Sequence, residues 1–341
     1  MTRRIAIVNV LLAAMVTVAV AQQILINGAG ATFPNPMYSK WFDEFRKKYP
    51  SAAINYQSIG SGGGIQQVTA GTVDFGATDG PMNDIQIKDF QTKRGSAILH
   101  FPTVMGAVVP TYNIPGVTGS INFTGEALAG IYLGKITKWD DPEIAKANAG
   151  LKLPANNIVV VHRAEGSGTT YIWTDYLSKV SKEWEMKAGR ANSVTWPVGL
   201  AGKGNEGVAG SIQQTANSIG YVELIYAIQN KMTYGKVKNA SGEFIQASLA
   251  SVTAAAAAMK DMPEDFRVSI TNAPGKGVYP ISSFTWLLVP SKIADPAKKK
   301  AIKDFLAWML ADGQKMTAAL EYAPLPKVVV TKELKQIDKI Q

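Results

Sequence analysis

The 341-residue sequence contains no cysteine, which excludes disulfides, thiolate metal sites and a catalytic thiol. It also lacks the Cys that a bacterial lipoprotein carries directly after its cleavage site, since position 22 is Gln. There are two histidines, His100 and His162, and neither sits in a triad context. With no HExxH motif and no His/Asp cluster, a catalytic metal has no evident ligand set. Charged residues are few, at 18%, and the net charge of +9 is spread over scattered lysines or solvated runs such as Lys298-Lys299-Lys300. No aromatic platform is interleaved with them, so a nucleic-acid partner is not expected, and the basic balance implies only a general attraction for small anions.

What is present is an ordinary globular composition, 46% hydrophobic, in a chain too long for one ordinary core. Two lobes of about 150 residues each are expected. The first 21 residues read as a secretory signal: Arg3 and Arg4 precede a mostly apolar run, Ile5 to Val18, and Ala19-Val20-Ala21 has the small-x-small pattern of a cleavage site. That run is shorter than the ~20 residues a membrane span needs. The expected mature chain starts at Gln22, carries +7 once Arg3 and Arg4 are removed, and is free in the periplasm, neither lipid-anchored nor membrane-anchored.

The most informative stretch is Asn157 to Leu177, NIVVVHRAEGSGTTYIWTDYL. Ile158 to Val161 reads as a buried strand, Arg163 follows it, Gly166-Ser167-Gly168-Thr169 makes a polar turn, and Ile172, Tyr176 and Val180 mark a helix. A helix start leaves about four backbone N–H groups unpaired and carries partial positive charge, so a Gly-rich turn there suits an anion. Ser167 and Thr169 add hydroxyl donors and Arg163 a forked cation, although Ser167 acting as a plain N-cap explains the motif equally well.

Two further strand-to-turn-to-helix units precede it. Ile24 to Ile26 leads into GAGATFP, with Thr32 where an N-cap would sit and a helix marked by Met37, Trp41, Phe45 and Tyr49. Ala53 to Ile59 leads into Gly60-Ser61-Gly62-Gly63-Gly64 and a short helix, Ile65 to Ala70. That loop lacks the Lys-Ser/Thr ending of a nucleotide phosphate loop. A strand from Thr72 to Thr78 ends at Asp79, beyond a strand's carboxyl end, where open α/β sheets bind ligands. FPTVMGAVVP, Phe101 to Pro110, reads as a crossing between lobes; Ser218 to Ala227 reads as a strand, and Val278 to Val289 as a return strand before a helix from Pro296 to Leu310. Alternating strands and helices imply α/β lobes with mostly parallel sheets.

The runs GAGATFPNPMYSKW, INYQSIGSGGG, TVDFGATDGP, FPTVMGAVV, IYLGKITKWDDP, HRAEGSGTTYIWTDYL, GLAGKGNEGVAG and IGYVE closely resemble the periplasmic phosphate-binding proteins of Pst-type ABC uptake systems. The resemblance runs from about Leu25 to Pro326. It implies the two-lobed type II periplasmic binding-protein fold with a hinge, residues 22–103 and 281–341 forming one lobe and 104–280 the other. It implies a monomer that binds inorganic phosphate and delivers it to a membrane permease, with no cofactor and no catalysis. Carried over by position, the binding residues are Thr32, the Phe33 amide, Ser61 and the proton acceptor Asp79 from the first lobe, and Arg163, Ser167, Gly168 and Thr169 from the second. The family commonly has Asp two residues after the arginine as its partner, and here Glu165 stands in that position, while His162 replaces a basic neighbour and reads as structural or peripheral.

Two other functions fit these residues less well. A serine hydrolase or phosphatase built on Ser167 lacks the GxSxG frame and a histidine in context. A sulfate or molybdate binder would face a fully deprotonated anion with Asp79 and should offer donors only, so Asp79 argues against it.

Overall fold

The computed structural model describes residues 23–341, so the expected signal sequence and the cleavage point before Gln22 lie outside the described residues. The first lobe begins β1 (Ile24–Gly30), α1 (Asn35–Lys48), β2 (Ala52–Ser58), α2 (Ser61–Ala70), β3 (Phe75–Thr78) and α3 (Asp84–Arg94). The chain then enters a 16-residue strand, β4 (Ile98–Asn113). Beyond it come β5 (Asn122–Phe123), α4 (Gly125–Tyr132), α5 (Pro142–Ala145), β6 (Val159–Arg163), α6 (Gly168–Val180), α7 (Lys182–Lys187), β7 (Leu200–Gly202), α8 (Gly204–Gln214), β8 (Ser218–Glu223) and α9 (Leu224–Gln229). Short strands β9 (Thr233–Tyr234), β10 (Lys236–Lys238) and β11 (Phe244–Ile245) and helix α10 (Leu249–Ala257) follow, and β12 (Ser282–Pro290), α11 (Pro296–Ala311) and α12 (Lys327–Ile337) complete the fold.

The main sheet runs β2-β1-β3-β12-β4-β8-β6-β7, with β9 paired to β4. β4 serves both lobes: Ile98 to Ala107 pairs with β12, and Val108 to Asn113 pairs with β8. The sheet is mixed, which corrects the expectation of mostly parallel strands. β1 is parallel to β2 and β3, and β6 to β7 and β8, but β12 runs antiparallel to β3 and β4, and β4 antiparallel to β8. The parallel pairs come from the strand-helix-strand units that periodicity reveals; the antiparallel ones come from the two crossing strands, whose direction no local pattern encodes.

The aromatic face of α1 buries Tyr38, Trp41, Phe42 and Phe45, and Phe42 and Phe45 each lie 5.3 Å, centroid to centroid, from Phe305 on α11. Fully burying one such side chain is worth about 1.5–3 kcal/mol, so this face anchors the returning C-terminal segment to the first lobe. Pro36 is tolerated in the first turn of α1, and Arg46, Lys47 and Lys48 in its last turn complement the helix dipole. The second lobe has its own aromatic centre, where Trp173 stacks on Tyr221 at 5.0 Å and Tyr132 packs across both.

Several local expectations change. Thr32 is not an N-cap: Pro34 holds that position, the helix starts at Asn35, and the Thr32 hydroxyl is used elsewhere. The strand expected from Thr72 begins at Phe75, because Thr72 turns back onto the Gln67 carbonyl at the end of α2. The strand expected across Ser218 to Ala227 stops at Glu223, whose carboxylate accepts from the Ile225 N–H and caps a new helix. Both halves of that segment are apolar and fully buried, so neither period shows in the sequence.

Candidate functional site

Asp79 directly follows β3, the strand flanked by β1 and β12, and is 1% exposed. Its Oδ1 accepts from the Thr285 hydroxyl on β12 at 2.8 Å. Its Oδ2 is buried and has no hydrogen-bond partner among the described residues. Burial pushes the carboxyl up to about 7, against the pull of the Thr285 hydroxyl and the Arg163 charge. The group therefore sits between its two protonation states at neutral pH, with one oxygen uncommitted.

Four of the expected site hydroxyls each accept a hydrogen bond from a protein N–H. Ser61, the first residue of α2, accepts from the Asp79 amide at 3.1 Å. Ser167 accepts from the Thr170 amide at 3.1 Å, so it does cap α6. Thr169 accepts from Arg163 Nη1 at 3.2 Å and Asn205 Nδ2 at 3.2 Å, and Thr32 from Asn205 Nδ2 at 2.8 Å. All four residues are at most 3% exposed.

Arg163 ends β6 and is 3% exposed. Its backbone N–H donates to the Tyr221 hydroxyl at 3.2 Å, and that hydroxyl is 2.6 Å from the Thr170 hydroxyl, so the aromatic centre ties the end of β6 to the first turn of α6. Of the five guanidinium N–H groups, Nε and Nη2 each give one to Glu165 Oε1, the Nε contact at 3.0 Å, and Nη1 gives one to Thr169. One N–H on each Nη is not engaged in these bonds and is free to donate to an anion. Glu165 thus reaches Arg163 despite replacing the shorter Asp. Burial opposes its ionisation, but the Arg163 hydrogen bond and charge, together with the Gly204 N–H 3.2 Å from Oε1, hold its carboxyl below the usual value.

Glycines allow the two lobes to meet. The Gly62 N–H donates to the Gly166 carbonyl across the lobes at 2.8 Å. A Cβ on Gly168 would lie 2.4 Å from Ser61 Oγ and 2.5 Å from Asp79 Oδ2, so only a residue without a side chain fits there. The Tyr226 hydroxyl donates to the Thr32 carbonyl at 2.6 Å, and the Tyr322 hydroxyl to the Phe33 carbonyl at 2.6 Å, holding the turn before α1. Ser61, Asp79 and Gly168 therefore touch directly, Arg163, Glu165 and Thr169 form a bonded group beside them, and Thr32 joins that group through Asn205. Phe33 is fully buried in the same turn. His162 stacks on Trp196 at 4.8 Å with its Nδ1 3.0 Å from the Arg163 carbonyl, a packing role in accord with its expected place outside the site.

The residues that sequence reasoning missed are those acting through others. Asn205 lies in a glycine-rich run that reads as a flexible loop, and Thr285 in an apolar run that reads as core. The signal for Thr285 was a hydroxyl flanked by Phe284 and Trp286 in a buried strand, where an unpaired polar group is costly and calls for a partner.

Two α/β lobes joined by a shared strand, with a buried donor-lined cleft between them, define a solute-binding protein of the periplasmic binding-protein class. The PBP superfamily domain matches residues 17–313. The chain is 47% identical to the phosphate-binding protein PstS of Xylella fastidiosa strain Temecula1, over 91% of this chain and 84% of that one. It is 43% identical to PstS of Pasteurella multocida, over 97% and 94%. The chain belongs to the PstS phosphate-binding protein family. Among solved structures, the fold is similar to a high-affinity periplasmic phosphate-binding protein, PfluDING, solved with phosphate bound, at a TM-score of 0.73 and 21% identity, covering 91% of this chain and 93% of that one. It is also similar to a phosphate transporter substrate-binding protein of Clostridium perfringens, at a TM-score of 0.64 and 18% identity, covering 89% and 100%.

Proposed function

We propose that this protein binds inorganic phosphate in the periplasm and hands it to the membrane permease of an ABC uptake system, without catalysis. The observation that carries the reading is Asp79 Oδ2, a buried acceptor without a partner among the described residues, inside a cage otherwise made of donors. Phosphate retains at least one proton at neutral pH and can give it to that oxygen, while offering its other oxygens to Arg163, Ser61, Ser167, Thr169, Thr32 and the amides at Phe33 and Gly168. Sulfate and molybdate have no proton to give, and a carboxylate facing one of their oxygens in a desolvated site costs several kcal/mol. The relatives named for phosphate binding support the same choice.

The lobes are taken as residues 22–103 with 281–341, and 104–280. The exchange of partners along β4 at Ala107 and Val108 supports a hinge there. No described helix is long and apolar enough to cross a membrane, and the basic, apolar, small-residue order of residues 1–21 supports export through a cleaved signal. A hydrolytic role for Ser167 has little to act with: its hydroxyl caps α6, His162 is stacked on Trp196, and His100 Nε2 accepts from the Met82 amide.

The test is calorimetric titration of ligand-stripped protein with phosphate, arsenate and sulfate. Tight binding of phosphate, competition by arsenate, which also stays protonated, and sulfate binding that is weaker and weakens further as pH rises above 7 are expected. Equal affinity for phosphate and sulfate would overturn the reading.

A further inference from the structure

Asn205 is fully buried in the first turn of α8, and its side chain touches both lobes. The Glu223 amide donates to its Oδ1 at 2.9 Å, and since an N–H must face an acceptor, that bond fixes which end of the side-chain amide is oxygen. The NH2 end then faces two hydroxyls, Thr32 Oγ1 at 2.8 Å in the first lobe and Thr169 Oγ1 at 3.2 Å in the second.

A threonine hydroxyl has one proton and two lone pairs, so it can serve as donor or acceptor. At Thr169 Oγ1 both lone pairs are taken, by Asn205 Nδ2 and by Arg163 Nη1. At Thr32 Oγ1 one is taken by Nδ2, and the Asn205 backbone N–H approaches at 3.4 Å. The proton of each hydroxyl is therefore turned away from Asn205, and neither hydroxyl donates to a protein acceptor among the described residues. For a cage around a deprotonated oxyanion this matters, because a hydroxyl that accepts where it should donate repels the ligand.

We infer that Asn205 is a positioning residue that sets the donor polarity of the cage: its amide holds Thr32 and Thr169 as donors toward the anion and does so for both lobes at once. The inference rests on the reading of the cleft as a phosphate site. It extends that reading by making donor orientation depend on closure, since both hydroxyls reach the same NH2 group only when the lobes are together.

The test is calorimetry with inorganic phosphate on the whole mature chain. Asn205→Ala should weaken binding about tenfold, the scale of one neutral hydrogen bond. Asn205→Asp keeps the size and the acceptor for the Glu223 amide, but offers a carboxylate oxygen to the hydroxyls and draws their protons inward, so a loss of at least a hundredfold is expected. Melting temperature follows the fold of each variant: Asn205→Asp buries a carboxylate and should lower it, so affinities are compared at a temperature well below every variant's melting point. Action through the two hydroxyls is separated from other effects of losing the amide by a double-mutant cycle. In a Thr32→Val, Thr169→Val background, Asn205→Ala should change affinity less than twofold, because the hydroxyls it acts through are gone. A full tenfold loss in that background, or wild-type affinity in Asn205→Asp, would overturn the inference while leaving phosphate binding intact. Failure of the wild-type protein itself to bind phosphate would instead overturn the functional reading.

Discussion

Replacing Gly168 by alanine isolates the approach of the two lobes from the chemistry of the cage. A Cβ built there lies 2.4 Å from Ser61 Oγ and 2.5 Å from both Cβ and Oδ2 of Asp79, against an ordinary contact distance of at least 3.4 Å. The neighbours have little freedom to yield. Ser61 is a short side chain on the first residue of α2, bonded to the Asp79 amide, and Asp79 is held by Thr285. The shortfall of about 1 Å must then be met by the lobes backing apart. A donor 1 Å beyond its 2.7–3.2 Å range has lost its hydrogen bond, and bonds to a charged ligand are each worth about 1.5–3 kcal/mol. Loss of one or two of them gives about 2–4 kcal/mol, or roughly a thirty- to thousandfold weaker phosphate Kd.

The same change should not harm the fold. Gly168 is helical, and alanine is the better helix former by about 0.5–1 kcal/mol, so the melting temperature of the ligand-free variant should equal or exceed that of wild type. Solution scattering should show that saturating phosphate contracts wild type but contracts Gly168→Ala less. The assay is calorimetry paired with thermal melting. A Kd within twofold of wild type would refute the reasoning, because it would mean that local shifts absorb the methyl group. A variant that binds weakly and also melts several degrees lower would equally refute it, because the clash would then lie within one lobe.

Other expectations address the charges. Arg163→Lys replaces a two-pronged donor by a point charge and should weaken phosphate binding about ten- to a hundredfold by calorimetry, with a loss under twofold placing Arg163 outside the site. Glu165→Gln should weaken it by a smaller factor, since the guanidinium loses its charged anchor but keeps Thr169; unchanged affinity would show that Glu165 does not orient it. Asp79 makes sulfate binding depend on pH: with the ligand-free carboxyl at about 7, sulfate must bring a proton with it above that value, so its affinity should fall up to about tenfold per pH unit above pH 7 and level off below. Asp79→Asn should flatten this profile and narrow the phosphate-to-sulfate ratio, and a wild-type profile already flat would count against Asp79 as the discriminating group. Stability supplies a separate check. Between 3.8 and about 7 the folded ligand-free protein holds a proton that the unfolded chain has lost, so wild-type stability should fall as pH rises through that window, and melting curves of Asp79→Asn should lack that part of the slope.

The three Gly-rich helix entries were legible because each pairs a local strand signal with a local turn signal; the structure sets Ser61 and Gly168 against Asp79 and ties Thr32 to Thr169 through Asn205. Arg163, Ser61 and Thr169 could be proposed from residue type and position alone. What local pattern leaves out is how a hydroxyl is polarised or which residue stands behind it. Thr32 looked like a helix cap because a threonine before a helix usually is one, yet its hydroxyl faces Asn205, 173 positions away. The mixed sheet was hidden for a related reason: β4 and β12 are buried along nearly their whole length because both faces are covered, and a strand buried on both faces carries no regular alternation to report its direction or partners. The end of β8 was missed likewise, since Glu223 looks like an interior charge until it is seen capping α9.

The division of β4 between two partners bears on how such a protein withstands use. An ion carrier must open and shut once for every ion delivered, and a joint made of loops would reorder its backbone in each cycle. Here the lobes share one unbroken strand, paired with β12 up to Ala107 and with β8 from Val108 onward. A modest change of twist between those two ladders swings the lobes while each amide keeps its partner, as a leaf spring bends without sliding parts. The paired strand of the joint then has no hydrogen bond to remake in each cycle, and the work of closing falls on the ligand's own contacts.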